Sequence, residues 1–242
     1  MRFTSQIFLF ILLICSKQSL AQSTLGARPN RFADLTVSAA SAQGSWALSY
    51  VHNWKVLKKK KWELGLGLRY TGYAGQKKDF ITAGPARLTR TSTTPFLIFF
   101  AGQKTQNWDT LAVQQPFTNS FNVTANLGYN FNKHWYAGFN IDLIGYTFGK
   151  KTSAILTGNG ITRTEANAKP TPFNLLLTGD HDKGSLNSEF FVKYHFNNRW
   201  SVKAVYQFLF IEYKTQAIKQ VATDGTVIST FRNKVNAAGL GI

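Results

Sequence analysis

The chain has 242 residues and a formal net charge of +17, a size that suits one large domain or one medium barrel. Its single cysteine, Cys15, excludes an internal disulfide. The basic balance favours anionic partners such as lipid or acidic polysaccharide, and the export argued next makes nucleic acid the weakest of these.

The N-terminus carries one early positive charge at Arg2, an apolar run from Ile7 to Cys15, and small residues around Ser19-Leu20-Ala21. That is the pattern of a secretory signal peptide over residues 1–21. The run falls far short of the roughly 20 residues a spanning helix needs. Cleavage removes Arg2, Cys15 and Lys17, leaves the mature chain without thiol chemistry, and lowers the charge from +17 to +15. Residues 22–33 read as a periplasmic tail with Gly26 and Pro29, and the barrel is expected over 34–242. No later stretch is apolar and long enough for a membrane helix, so spanning would have to be by strands.

Asp34 to Ser41 alternates loosely, with Leu35, Val37 and Ala39 in one phase. Ser45 to Val56 alternates better through Trp46, Leu48, Tyr50, His52 and Trp54. The Lys58–Lys61 run then reads as a solvated turn. From Trp62 to Tyr73 the period is strict: Trp62, Leu64, Leu66, Leu68 and Tyr70 share one face, and Glu63, Gly65, Gly67, Arg69 and Thr71 the other. Successive strand side chains point to opposite faces, so this is a strand, and about 9–11 tilted residues suffice to cross hydrocarbon.

Tyr73 to Asn119 reads as a long polar connection with one apolar run, Phe96–Phe100. Alternation resumes from Ser120 to Phe131 and again from Trp135 to about Phe148, where Ala137, Phe139, Ile141 and Leu143 oppose Gly138, Asn140 and Asp142. Gly149 to Leu186 reads as a second long polar loop. Strands follow over Asn187–Phe196 and from Trp200 to about Tyr213, then an Asp224-Gly225 hairpin and a last strand from Arg232 to Ile242.

Tyr129-Asn130-Phe131-Asn132-Lys133-His134-Trp135 and Tyr194-His195-Phe196-Asn197-Asn198-Arg199-Trp200 repeat one pattern, Tyr-x-Phe-Asn-x-x-Trp. With Trp54 and Trp62 beside the lysine turn, Trp135 and Trp200 put four tryptophans next to short turns, as in the aromatic girdle of a membrane interface. Placing short turns on the periplasmic side and long loops outside gives an all-β, closed antiparallel eight-stranded transmembrane β-barrel with both termini periplasmic. A soluble lipocalin-like barrel would instead turn its apolar face inward. Inward glycines, turn-associated tryptophans and the lack of disulfides favour lipid outside.

On these features the chain resembles the small bacterial outer-membrane β-barrel proteins with porin-like barrel domains. The resemblance covers most of the mature chain and implies an outer-membrane location, insertion by the barrel-assembly machinery, a monomer, and lipopolysaccharide and outer-membrane lipid as surroundings. It departs at Ile242, where members commonly end on an aromatic residue.

The polar phase directs Glu63, Arg69, Asp142, Glu189, Lys193 and Lys203 inward, where buried charges must pair, so they are expected to form a lumen charge network. A narrow small-solute conduit is the alternative, and a lipid acyl hydrolase or transferase the third reading. Acyl transfer needs a Ser–His–carboxylate constellation, and His52, His134, His181 and His195 have no serine partner by spacing. Asp180-His181-Asp182 is followed at once by Lys183 and reads as solvated loop rather than a metal site. No catalytic residue, metal or cofactor is therefore expected. Lys77, Lys78, Arg87, Arg90 and Lys104 outnumber Asp79 and Asp109 in the first long loop, which suits contact with lipopolysaccharide phosphates or plain solvation. The expected role is structural or surface-interacting, carried by the long basic loops.

Overall fold

The structure is a computed structural model that describes residues 31–57, 60–94, 101–158, 160–177 and 182–242. The expected signal peptide, most of the tail, Lys58 and Lys59, the Phe96–Phe100 run, Asp180 and His181 lie outside the described residues. The strands, in chain order, are β1 (Arg31–Ala40), β2 (Gln43–Val56), β3 (Trp62–Gly75), β4 (Lys78–Thr82), β5 (Thr110–Val113), β6 (Phe117–Asn130) and β7 (Trp135–Gly149). They continue with β8 (Thr152–Gly158), β9 (Ile161–Pro170), β10 (Phe173–Leu175), β11 (Leu186–His195), β12 (Ser201–Lys214), β13 (Gln220–Val221), β14 (Val227–Ile228) and β15 (Thr230–Gly241). A short helix, α1, spans Ala86–Thr89, and a 3-10 turn spans Thr105–Asn107.

The fold is all-β, and its large antiparallel sheet closes in a ring. Pairing runs β1–β2–β3–β6–β7–β11–β12–β15, and β15 returns to β1. The returning seam is narrow: Thr36–Ala39 face Ala238–Gly241, and Leu35 and Ile242 exchange two 3.0 Å backbone bonds. The first strand begins at Arg31, three residues ahead of the expected start, because Arg31 to Asp34 find partners on β2.

The ring is sorted by face as strict alternation demands. Along β3, Trp62, Leu64, Leu66 and Leu68 are exposed while Glu63, Gly65, Arg69 and Thr71 are buried. The exposed face is apolar and the enclosed one polar, the reverse of a soluble domain. Some inward glycines make room for neighbours: a Cβ at Gly128 would lie 1.7 Å from the Tyr136 hydroxyl, and one at Gly138 2.6 Å from the Phe191 ring. Tyr136, Phe191 and Val205 form a small apolar layer over those two positions.

The repeated motif folds twice into the same turn. Asn132 Oδ1 accepts the backbone N–H groups of His134 (2.8 Å) and Trp135 (2.9 Å), and Asn197 Oδ1 those of Arg199 (2.8 Å) and Trp200 (2.9 Å). An Asn side chain that substitutes for a backbone acceptor closes such turns tightly.

Within the ring, one register detail departs from simple alternation. β6 and β7 slip between Val123 and Thr124, whose partners are Ile144 and Asp142, so Leu143 is an extra, bulged residue. Beyond it the phase of β7 inverts, and Ile144, Tyr146 and Phe148 become the exposed set.

The two long connections are not polar loops, which corrects the expectation for Tyr73–Asn119 and Gly149–Leu186. β15 pairs with β4, β4 with β5, β5 with β8, β8 with β9, and β9 with β12. A second, smaller closure thus shares the β12–β15 pair with the main ring and sits at the end opposite the short turns. It encloses an apolar core of Tyr73, Phe80, Leu111, Val113, Ala154, Leu156 and Ala168, continued downward by Leu209, Ile211, Tyr213, Phe231, Val235 and Ala237. β12 records the change of interior along its own length: Lys203 and Gln207 point into the lower ring, and Leu209, Ile211 and Tyr213 into the cap. The Asp224-Gly225 hairpin forms as a separate two-stranded sheet, β13–β14, with Gly225 at φ +80°.

Candidate functional site

The enclosed charges of the lower ring assemble into one alternating chain. Asp142 Oδ1 lies 3.0 Å from Arg69 Nε, and Arg69 Nη1 3.3 Å from Glu189 Oε1. Glu189 Oε2 accepts from Lys203 Nζ at 2.9 Å, Lys203 reaches Asp34 Oδ1 at 2.9 Å, and Asp34 Oδ2 ends the chain on Lys193 Nζ at 3.1 Å. Three cations thus meet three carboxylates contributed by β1, β3, β7, β11 and β12.

The sequence determines why these strands deliver these groups. Lys193 and Lys203 are direct cross-strand partners, an arrangement that repels unless an anion intervenes. Asp34 intervenes with one oxygen on each ammonium. Lys193 also lies over the Phe32 ring, 3.2 Å from its centroid, so an aromatic face supplements the single carboxylate. Arg69 is held by two ion pairs, through Nε and Nη1, while Nη2 has no hydrogen-bond partner. Amides complete the carboxylate shells. Asn122 Nδ2 donates to Asp142 Oδ2 at 2.7 Å, the Asn187 backbone N–H to the same oxygen at 2.8 Å, and Asn140 and Asn187 to Glu189 at 3.4 Å each.

Of the six residues expected in the lumen network, Arg69, Asp142, Glu189, Lys193 and Lys203 meet in this chain. Glu63 is buried but stands apart, bonded by Asn53 Nδ2 (3.2 Å) and Asn130 Nδ2 (2.9 Å) near the short-turn end. Alternation assigns a residue to a face but not to a height, and Glu63 lies six residues from Arg69 along one strand. Asp34 is the member that sequence reasoning missed. Its phase, opposite Leu35 and Val37, was readable, but alanines dilute the alternation around it. A second pair, Arg232 Nη2 to Glu212 Oε2 at 2.6 Å, lies outside the ring wall on β12 and β15 and was not anticipated.

Trp54, Trp62, Trp135 and Trp200 are all exposed on the outer face at the short-turn end. Trp62 meets Tyr129 edge-on at 4.9 Å and Trp135 meets Tyr194 at 5.0 Å across neighbouring strands, and Trp54 meets His52 at 4.9 Å along its own strand. His134 Nδ1 lies 3.0 Å from the His195 backbone oxygen in the same belt. Among the described residues no group of three or more His, Cys, Asp or Glu converges as a metal site.

The cap holds its own built polar feature. Glu165 on β9 is buried, and its Oε2 accepts the backbone N–H groups of Gln216 (2.9 Å), Ala217 (2.9 Å) and Ile218 (3.1 Å), with Asn167 N–H on Oε1 at 3.0 Å. Burial would raise its carboxyl, but the four N–H donors prevail and hold it below the ordinary carboxylate range. A carboxyl depressed in the folded state stabilises fully above the unfolded pKa of about 4.3, and that contribution is lost as pH falls through the lower folded value. Glu165→Gln is accordingly expected to cost about 1–3 kcal/mol at neutral pH and to abolish the acid-dependent part of the Gln216–Ile218 amide protection. Hydrogen exchange at those amides, measured on both proteins down to pH 3, checks it; identical profiles would contradict the docking role.

Comparison with protein-family models, with curated proteins and with solved structures finds no match to this chain.

Proposed function

We propose that the protein is a non-catalytic outer-membrane β-barrel with a structural or surface-interaction role. In this reading the eight ring strands cross the bilayer, the short turns and both termini face the periplasm, and the cap stands outside the cell. One observation carries it: the ring exposes Leu48, Leu64, Leu66, Leu68, Phe121 and Val202 while burying ionised and amide side chains. A contiguous apolar girdle of that extent is a liability in water and an advantage in hydrocarbon. The exposed tryptophans at one rim fit the interface that such a girdle requires.

The interior supports a plug rather than a pore. An eight-stranded barrel has room inside only for side chains. Here Arg69, Lys203, Gln207 and Glu189 fill the lower ring, and the cap core stands above them. The protein is therefore expected to migrate heat-modifiably on a denaturing gel, to stay with membranes after an alkaline wash, and to leave planar bilayers electrically silent once inserted. Recovery as a soluble periplasmic protein would overturn the barrel, and discrete conductance steps would overturn the plug. Insertion by the barrel-assembly machinery as a monomer, after cleavage near Ala21, belongs to the same reading, as does lipopolysaccharide as the neighbour of the outer basic surface.

A further inference from the structure

A cleft of about 320 Å³ lies on the outer wall of the ring, where the cap overhangs β7, β11, β12 and β15. Its floor is the outward face of the wall, with Phe139, Phe190, Phe208 and Phe210, and Trp108 and Leu177 belong to the overhang. Arg90, Arg232 and Lys234 line it as well.

The register orders these groups along the wall. Glu212 pairs with Arg232, Phe210 with Lys234, Phe208 with Asn236, and Tyr206 with Ala238, each step about 7 Å further from the cap. Charge is therefore confined to the two steps nearest the cap, an ion pair and then a cation beside phenylalanine. The next two steps are uncharged and largely aromatic, their one amide, Asn236, accepting from the Tyr206 hydroxyl at 3.0 Å. Arg232 is occupied in part, by Glu212 Oε2 and by the Asp182 backbone oxygen, yet its buried Nε has no hydrogen-bond partner. Lys234 meets no carboxylate among the described residues. Arg90 makes one long bond, 3.4 Å to the Ala101 oxygen, and burial, followed by the nearby Arg232, holds it below the ordinary arginine range against the opposing Asp182. The Asp182 carboxylate itself accepts the Leu177 backbone N–H at 2.8 Å. Three cations against Asp182 and Glu212 leave the cap end of the cleft positive.

We propose that this cleft binds one phosphorylated, multiply acylated glycolipid of the outer leaflet, its phosphate on Arg90 and Lys234 and an acyl chain against Phe190, Phe208 and Phe210. The charge matches a phosphate, and its confinement to the cap end matches the way an amphiphile stands in a leaflet. The assignment rests on the membrane reading above, because only that orientation puts the cap end in the outer leaflet. Arg90 also gains a role more specific than general attraction by a basic loop.

The test uses the full mature chain, folded in detergent and titrated with bisphosphorylated hexa-acyl lipid A, its dephosphorylated form, or phosphatidylglycerol, with bound lipid counted by native mass spectrometry. One equivalent of lipid A should bind, about tenfold or more tighter than the dephosphorylated form, since a charge-assisted bond is worth about 1.5–3 kcal/mol. Arg90→Gln/Lys234→Gln should remove that preference, and Lys77→Gln/Lys78→Gln, in the connection from β3 into β4 and outside the cleft lining, should retain it. Phe190→Asp, at an exposed wall position, should weaken both lipids if the double variant fails to fold. Equal binding of phosphatidylglycerol, or an unchanged preference in folded cleft variants, would overturn the proposal. Flotation with liposomes separates the two readings: a protein that floats without phosphate-dependent binding refutes the cleft alone, and one that does not float refutes the barrel.

Discussion

Arg69→Met is expected to cost about 3–5 kcal/mol, because it leaves Asp142 and Glu189 buried and short of positive charge. The methionine fills much of the volume, so the loss is electrostatic rather than a cavity. Arg69→Met/Asp142→Asn removes one charge of each sign and leaves Glu189, Lys203, Asp34 and Lys193 balanced. The asparagine still offers an oxygen to Asn122 and to the Asn187 N–H, so most of the lost stability should return. Urea titration of folded protein, read by gel migration of unheated samples, measures both variants. If the double variant is no more stable than Arg69→Met, the cost does not arise from uncompensated charge.

Phe80→Ala is expected to be similarly large but local. Phe80 is fully buried in the cap core and packs edge-on against Tyr213 at 5.4 Å. A fully buried phenylalanine replaced by alanine typically costs about 3–5 kcal/mol through lost transfer energy and the cavity left behind. Tyr213 carries the consequence further, since its hydroxyl accepts the Phe117 backbone N–H at 3.1 Å and donates to the Phe117 oxygen at 3.2 Å where β6 begins. The cap should loosen while the ring, held by its own ladders, persists. Limited proteolysis should then cut within residues 83–116, and heat-modifiable migration should survive. Loss of both together would mean that the two closures fold as one unit.

How much of this was legible in the sequence depended on which interactions are periodic. Trp62 to Thr71 displays its two faces because every second position meets the same environment. The Asn132 and Asn197 turns were visible as a repeat because a side chain, not the backbone alone, closes them. The cap was hidden for the opposite reason. β5 is four residues, Thr110–Val113, and β9, Ile161–Pro170, is polar and mostly exposed, so neither offers a long enough alternation to detect. Among the described residues β5 pairs only with β4 and β8, and β9 meets β12 only at Tyr213 and Lys214, so both are placed by partners far away in the chain. The bulge at Leu143 escaped notice because the residues after it continue an apolar sequence in the opposite phase. Asp34 and Glu63 mark the limit for the charge network: the phase of each was readable, but its partners are set by strand stagger, which no single strand encodes.

The β12–β15 pair belongs to both closures, and this has a consequence for the order of assembly. Its two strands are separated by only fifteen residues, so the hairpin can form early at small entropic cost. β1, in contrast, must wait for β15, nearly the whole described chain away, and then gains only a four-residue seam plus the Leu35–Ile242 exchange. A hairpin with open edges is a template for both neighbours at once, and β4 and β1 come to different stretches of the same edge of β15. Closing the sheet is thus a late, single event whose product is zipped between β1 and β15. A nascent chain lacking β15 would have neither wall nor lid, however well its earlier hairpins had formed.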